Sequence, residues 1–94
     1  MSLILKDPGA ALDYEIDWGA DYLVEGDTLL ESGWTVFPEM TDGVRVESAA
    51  FSPTVARVSV RGGAQGRVYR LTNRVTTING RSDARSIMLR VEMR

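Results

Sequence analysis

Hydrophobic and polar residues alternate along several short stretches of the chain, and this two-residue period is typical of half-buried β-strands. In the clearest stretch, acidic residues alternate with Leu12, Tyr14, Ile16 and Trp18. Further runs at 28–37, 44–51, 54–60, 68–78 and 82–93 predict strands, separated by Gly, Pro and Asp turn signals. The pattern predicts six or seven strands and no long helix.

This strand spacing favours an all-β fold, an immunoglobulin-like antiparallel β-sandwich of six to seven strands. Tyr69 follows a Gly-rich turn and precedes Leu71 by two residues, which fits a tyrosine corner, where the hydroxyl bonds to backbone upstream. The alternative is an ordinary half-buried aromatic residue. With 94 residues there is room for one domain. We expect an extended N-terminal arm over residues 1–11 and the sandwich over residues 12–94.

The pair Asn79-Gly80 lies between two alternating runs and is a strong signal for a β-hairpin. A two-residue loop would separate the apolar sets of the two strands and place Arg74 opposite Arg85, an unfavourable like-charge pair. We therefore predict a three-residue loop, 79–81, with Gly80 at positive φ. The predicted register pairs Ile78 with Ser82, Leu71 with Leu89, and Tyr69 with Val91.

The residues on the apolar phase of each run are expected to form the core, because alternate side chains of a strand point to the same side. They are Leu12, Tyr14, Ile16, Trp18, Leu30, Trp34, Ala56, Val58, Val60, Tyr69, Leu71, Val75, Leu89 and Val91.

The chain contains no Cys and no His. This composition excludes disulfides, thiol nucleophiles, Ser-His-Asp triads and zinc sites built on Cys or His. No apolar run approaches the roughly 20 residues that a membrane span requires. The first residues lack the basic segment of a secretory signal, so we expect assembly in the cytoplasm.

Acidic and basic residues are segregated along the chain. Residues 1–47 carry eleven acidic and two basic side chains, a balance of −9, and residues 48–94 carry nine Arg and two acidic side chains, a balance of +7. Two interpretations stay open: acidic and basic strands interleave and pair, or a bipolar surface docks head-to-tail on a neighbour. The basic half has too few aromatic residues for a nucleic-acid platform.

Four groups of residues invite a chemical interpretation, and each has a plainer one. Carboxylates at successive two-residue steps on strand 12–17 are roughly 7 Å apart, a glycosidase-like spacing, yet a solvated strand face explains them. Segment 21–27 lacks the spacing of a calcium loop. The Gly-rich segment 62–66 precedes a strand and not the helix of a phosphate loop. A sugar platform of Trp18, Tyr22 and Trp34 competes with their placement in the core. We expect no catalytic, metal or cofactor site, and no enzyme.

Three motifs carry a resemblance to a known family. They are D-Y-x-I-D-W at 13–18, G-D-T at 26–28, and Y-x-x-T-N-R-x-T-T…G-R-S-D-x-R-S at 69–86. From about Leu5 to Val91 the chain resembles small immunoglobulin-like virion proteins of tailed bacteriophages, described as fibre–tail adaptors. None of the motifs is catalytic.

The resemblance implies a non-enzymatic virion structural protein, an adaptor or docking module in the tail or neck where fibres attach. It implies partners among tail, neck or fibre proteins, an oligomeric or ring arrangement, no contact with nucleic acid or membrane, and a place in the virion after assembly in the bacterial host cytoplasm. Two alternatives stay open: a carbohydrate-binding immunoglobulin-like module with exposed aromatics, and a head decoration protein. The apolar arm and the charged strand faces supply the expected docking residues, which are Leu3, Ile4, Leu5, Asp13, Glu15, Asp17, Arg74, Arg85 and Arg90.

Overall fold

Seven β-strands and one helical turn make up the computed structural model, which describes residues 3–93. The elements are β1 (Leu3–Lys6), β2 (Leu12–Asp17), α1 (Trp18–Asp21), β3 (Leu29–Phe37), β4 (Arg45–Phe51), β5 (Val55–Arg61), β6 (Val68–Thr77) and β7 (Ser82–Val91). The predicted all-β class and strand number are confirmed. Residues 1 and 2 of the expected arm, and residue 94 of the expected sandwich, lie outside the described residues.

The strands form two sheets that pack face to face as a sandwich. Sheet A has the order β1-β7-β6-β3, and sheet B has the order β2-β5-β4. Neighbouring strands are antiparallel except β1, which runs parallel to β7. The division of β3-β6-β7 from β2-β5-β4 is the division that immunoglobulin domains make between strands C, F, G and strands B, E, D. The immunoglobulin-like assignment itself stays a prediction.

The described part of the N-terminal arm forms the edge strand β1 within its own molecule. Leu3 to Lys6 pair with Met88 to Val91 of β7, and the backbone N–H of Glu92 donates to the carbonyl of Lys6 at 3.0 Å. Lys6 is 2% exposed, and its ammonium donates to the carbonyl of Gly62 at 2.7 Å. The division of the chain at residues 11 and 12 stays a prediction.

The pairing of β6 with β7 differs by two residues from the predicted register. The structure pairs Leu71 with Ile87, Tyr69 with Leu89, and Thr76 with Ser82. A shift of two residues keeps each side chain on its own face of the sheet. The predicted union of the apolar sets of the two strands is therefore retained, although the individual pairs were wrong.

The position of glycine in the hairpin loop explains this shift. Gly80 has a φ of 83°, as predicted, but it is the third residue of a loop made of Ile78, Asn79 and Gly80. The N–H of Gly80 donates to the carbonyl of Thr77 at 3.0 Å, and the N–H of Thr77 donates to the carbonyl of Arg81 at 2.8 Å. These contacts describe a type I turn followed by a left-handed residue, a common three-residue hairpin loop that places glycine last.

Most of the predicted core is buried between the sheets. The buried members are Ile16, Trp18, Ala56, Val58, Val60, Tyr69, Leu71, Val75, Leu89 and Val91, whereas Leu12, Tyr14 and Trp34 on the edge strands β2 and β3 are half-buried. Leu30 was predicted wrongly, since it is 54% exposed while Leu29 is 5% exposed. A register shift in β3 between Leu29 and Glu31 exchanges the two phases. The buried residues Val44 and Ile87 were missed.

The tyrosine-corner contact predicted for Tyr69 is present. Its side chain is fully buried, and its hydroxyl accepts a hydrogen bond of 3.0 Å from the backbone N–H of Ala64. The bond fixes the loop between β5 and β6 against the core, because the buried hydroxyl and the loop amide satisfy each other.

A polar contact crosses the core where Trp18 ends the alternation of β2 and begins α1. The buried indole N–H of Trp18 donates to the side-chain oxygen of Asn73 at 2.8 Å. The amide nitrogen of Asn73 donates to the hydroxyl of Ser32 at 2.9 Å and to the carbonyl of Gly33 at 3.0 Å. Asn73 is fully buried, so one side chain connects β6 with β3 and α1.

Candidate functional site

The outward side of sheet A, called face A below, carries exposed apolar side chains on three of its strands, β1, β3 and β6. Strand pairing aligns Leu3, Met88, Arg70 and Phe37, and the next row contains Leu5, Arg90 and Val68. Leu3, Leu5, Phe37 and Val68 are 58%, 44%, 72% and 42% exposed. Large apolar side chains that are contiguous and exposed are typical of protein–protein contact surfaces.

Face A also carries arginines that no carboxylate neutralises within the described residues. Arg70 and Arg74 are exposed on β6, and neither forms an ion pair in residues 3–93. Arg90 on β7 pairs with Glu92 at 2.7 Å. The apolar rows therefore lie beside uncompensated positive charge.

The outward side of sheet B, called face B, is more acidic along its edge strand. Asp13, Glu15 and Asp17 are exposed on β2, and Glu15 accepts a hydrogen bond of 2.9 Å from Arg57 on β5. Asp13 and Asp17 form no ion pair in the part of the chain that is described. Face B also carries the exposed Arg45, Arg57 and Arg61, so its excess of acidic side chains is confined to β2.

A shallow depression of about 420 Å³ lies on face B between the charged groups. It is lined by the small residues Ser48, Ala49, Ala50 and Ser59, by Tyr14 and Val58, and by the charged residues Asp13, Glu15 and Arg57. Register places Ser59 beside Asp13 on one side and beside Ser48 on the other. The centre of face B therefore combines small side chains with the ion pair of Glu15 and Arg57.

Ion pairs between neighbouring strands neutralise part of the charge on face B. Arg57 pairs with Glu15, and Arg61 pairs with Glu47, in both cases between neighbouring strands of sheet B. Pairs of this kind, exposed to solvent by roughly half, contribute little stability. Face A has no such pairing for its β6 arginines in the described residues.

The predicted docking residues do not form one contiguous site. Asp13, Glu15 and Asp17 lie on face B, and Leu3, Leu5, Arg74 and Arg90 lie on face A. Ile4 packs against the core instead. Their docking role stays a prediction.

Arg85 of the predicted set has its guanidinium engaged within the molecule. It lies opposite the buried Asn73, so it points to the inward side of sheet A. The guanidinium stacks over Trp18 at 4.4 Å and pairs with Asp21 at 2.6 Å. These contacts cover one end of the core, which favours a structural role for Arg85.

Three exposed residues of face A, Phe37, Val68 and Arg70, and the half-buried Met88 were not predicted from the sequence. Arg70 could have been predicted, because it is four residues from Arg74 and therefore lies on the same side of the strand. The position of Phe37 beside Arg70 depends on the pairing of β3 with β6, which periodicity does not reveal.

The aromatic residues of the sugar-platform alternative face the interior. Trp18 is fully buried, with its ring against Tyr22 in an edge arrangement at 5.2 Å. Tyr22 and Trp34 are half-buried. No group of three acidic side chains in residues 3–93 is close enough to hold a metal ion.

Comparison with known proteins identifies the family of this chain. A family model described as "Podophage GP4 fiber-tail adaptor protein gp77" matches residues 6–90. The chain belongs to this family. The match spans both sheets and nearly all of the strands, and it confirms the resemblance drawn from the motifs. No match was found among curated proteins.

The family is one of structural tail-adaptor proteins, and its members are not typically enzymes. An adaptor of this kind implies contacts with other tail or fibre proteins and a place in the virion. No helix within residues 3–93 is both long and apolar enough to cross a membrane.

Proposed function

We propose that the protein is a non-enzymatic adaptor in the tail or neck of a podophage virion, where it attaches a fibre to the tail by protein–protein contact. The observation that carries the proposal is the apolar part of face A beside β1. There Leu3, Leu5 and Val68 are exposed on a surface that residues 3–93 leave uncovered.

The position of β1 supports docking at this edge. β1 is the terminal strand of sheet A, and its only neighbour in the described structure is β7. The other side of β1 presents backbone N–H and carbonyl groups that an added strand of a partner can pair with. Exposed Leu3 and Leu5 supply apolar contact on face A, and Arg90 lies between Leu5 and Val68 in the same row.

The same proposal extends to assembly and location. The protein assembles in the bacterial host cytoplasm, takes its place in the virion among tail, neck or fibre proteins, and is arranged as an oligomer or ring. Its contacts are with protein, and neither nucleic acid nor membrane is a partner. The apolar edge beside β1 supports this choice, since it offers apolar side chains and strand pairing, which proteins recognise.

Complementation of a phage that lacks the gene tests the proposal. The double variant Leu3→Asp/Leu5→Asp places charge on the apolar edge, and we expect particles with few or no fibres and at least a tenfold loss of infectivity. The matched control is Val24→Asp/Ile78→Asp, since Val24 and Ile78 are 52% and 54% exposed in turns outside face A. The control is expected to keep its fibres.

Electron microscopy of the particles separates the outcomes. Full fibres on particles carrying the Leu3→Asp/Leu5→Asp variant would contradict docking at β1. Labelled protein found on the capsid, with none at the tail, would favour a head decoration protein and overturn the adaptor proposal.

A further inference from the structure

A pair of aspartates on face B and a pair of arginines on face A have the same spacing along their strands. Asp13 and Asp17 are four residues apart on β2, and Arg70 and Arg74 are four residues apart on β6. At 3.2–3.4 Å per residue, each pair spans roughly 13 Å along its strand. All four side chains are exposed, and none forms an ion pair within residues 3–93.

The two strands that carry these charges run in the same direction. β2 is antiparallel to β5, and it begins where Leu12 lies opposite Val60. β5 ends near the end of β7, since a side chain at Gly63 would meet Val91, and β7 ends where β6 begins. β6 and β2 therefore begin at the same end of the sandwich. A second copy shifted across the thickness of the sandwich, without being turned over, keeps the two strands parallel.

We propose that copies of this chain dock head-to-tail, with face A of one copy against face B of the next. Arg70 of one copy then meets Asp13 of its neighbour, and Arg74 meets Asp17. Each contact brings together opposite charges that form no ion pair within residues 3–93 of their own molecule. Complementary charges fix orientation and register at such an interface.

The same placement seats a large apolar side chain in the depression on face B. β3 packs across the sandwich against β4, so β3 and β4 lie on the same side of the molecule. With β6 against β2 of the neighbour, β3 lies against β5. Phe37 shares a row with Arg70, and Ser59 shares a row with Asp13. Phe37, which is 72% exposed, therefore faces the depression, where Ser48, Ala50 and Ser59 lie beside the ion pair of Glu15 and Arg57.

A contact between two different faces leaves one free face at each end of a pair. Such heterologous contacts close into rings when each copy is rotated suitably, and otherwise continue as filaments. The inference rests on the oligomer or ring of the proposed function and deepens it, because it names the faces through which two copies meet. It uses the half of face A formed by β6 and β3. The edge at β1 stays free for another protein.

Charge reversal on one face at a time tests the contact. One variant is Arg70→Glu/Arg74→Glu, and the other is Asp13→Arg/Asp17→Arg. Sedimentation velocity of the purified wild type is expected to show association that strengthens with concentration and weakens with salt. Each variant alone juxtaposes like charges, so its dissociation constant should rise by about 100-fold or more.

A mixture of the two variants supplies the decisive result. The reversed face A of the first variant is complementary to the reversed face B of the second, and their unchanged faces also match. An equimolar mixture should therefore associate as strongly as the wild type. The control Glu25→Arg/Arg67→Glu reverses charges in turns outside both faces and should associate like the wild type.

A wild type that stays monomeric up to about 1 mM would overturn the contact, and so would variants that associate as the wild type does. The third contradicting result is a mixture that stays monomeric while each variant keeps the wild-type circular dichroism spectrum. The outcome is separable from the fibre-docking test. A monomeric wild type together with fibreless Leu3→Asp/Leu5→Asp particles would remove the head-to-tail contact and leave the adaptor function in place.

Discussion

Replacement of Asn73 by alanine tests whether the buried polar contact between Trp18, β3 and β6 stabilises the sandwich. In the wild type, Asn73 accepts from the indole of Trp18 at 2.8 Å and donates to Ser32 and Gly33 at 2.9 and 3.0 Å. Asn73→Ala leaves the fully buried indole N–H of Trp18 without an acceptor. An unsatisfied buried donor costs about 1–3 kcal/mol.

The two hydrogen bonds that Asn73 donates contribute less to the loss of stability. Gly33 is exposed and Ser32 is half-buried, so water replaces the amide of Asn73 at least in part. Together with the small cavity left by truncation, we expect a loss of about 2–4 kcal/mol in the free energy of unfolding. In urea, with an m value of about 2 kcal/mol/M, this loss lowers the midpoint by about 1–2 M.

Urea titration followed by circular dichroism measures the loss, and a double-mutant cycle assigns it. Trp18→Phe removes the indole donor, so Asn73→Ala should cost about 1–2 kcal/mol less in that background. The control Thr72→Ala removes a hydroxyl contact with Ser86 at 2.7 Å on face A and should cost less than about 1 kcal/mol. A loss below about 1 kcal/mol for Asn73→Ala, or a coupling energy near zero, would refute the reasoning.

Three further predictions use the same titration. Gly80→Val should cost about 1–3 kcal/mol, because a β-branched residue is strained at a φ of 83° although space is open around the position. Gly80→Asn should cost less, and equal losses for the two variants would contradict this explanation. Tyr69→Phe should cost about 1–2 kcal/mol, since the N–H of Ala64 loses its acceptor, and a change below about 0.5 kcal/mol would exclude a stabilising corner. Burial lowers the pKa of Lys6 in the folded protein below its ordinary value of 10.5. Between the two pKa values the unfolded chain binds more protons than the folded one, so the free energy of unfolding rises with pH toward 10.5. Lys6→Met should remove that rise, and the same pH dependence in the variant would assign it to another group.

The alternation of apolar residues determined the fold class and most of the core. Periodicity is a property of neighbouring residues, and it fixes which side of a strand each side chain occupies. It therefore identified the inward sides of β5, β6 and β7. It failed at Leu29 and Leu30, because the irregular pairing of β3 with β6 changes the phase there. It also missed the two-residue shift of the hairpin, where the turn geometry that glycine requires selected the register.

The charge balance of each half of the chain and the motifs of the adaptor family are also evident without a structure. Which of the charges in residues 3–93 form ion pairs depends on the folded arrangement of the strands. Arg57 and Arg85 pair with carboxylates on distant parts of the chain, whereas Arg70 and Arg74 form no ion pair among the described residues. Spacing along the chain gives no sign of this difference. The row of Leu3, Met88, Arg70 and Phe37 likewise combines residues from four strands. Strand order and register bring them together, and these depend on long-range pairing that no local pattern encodes.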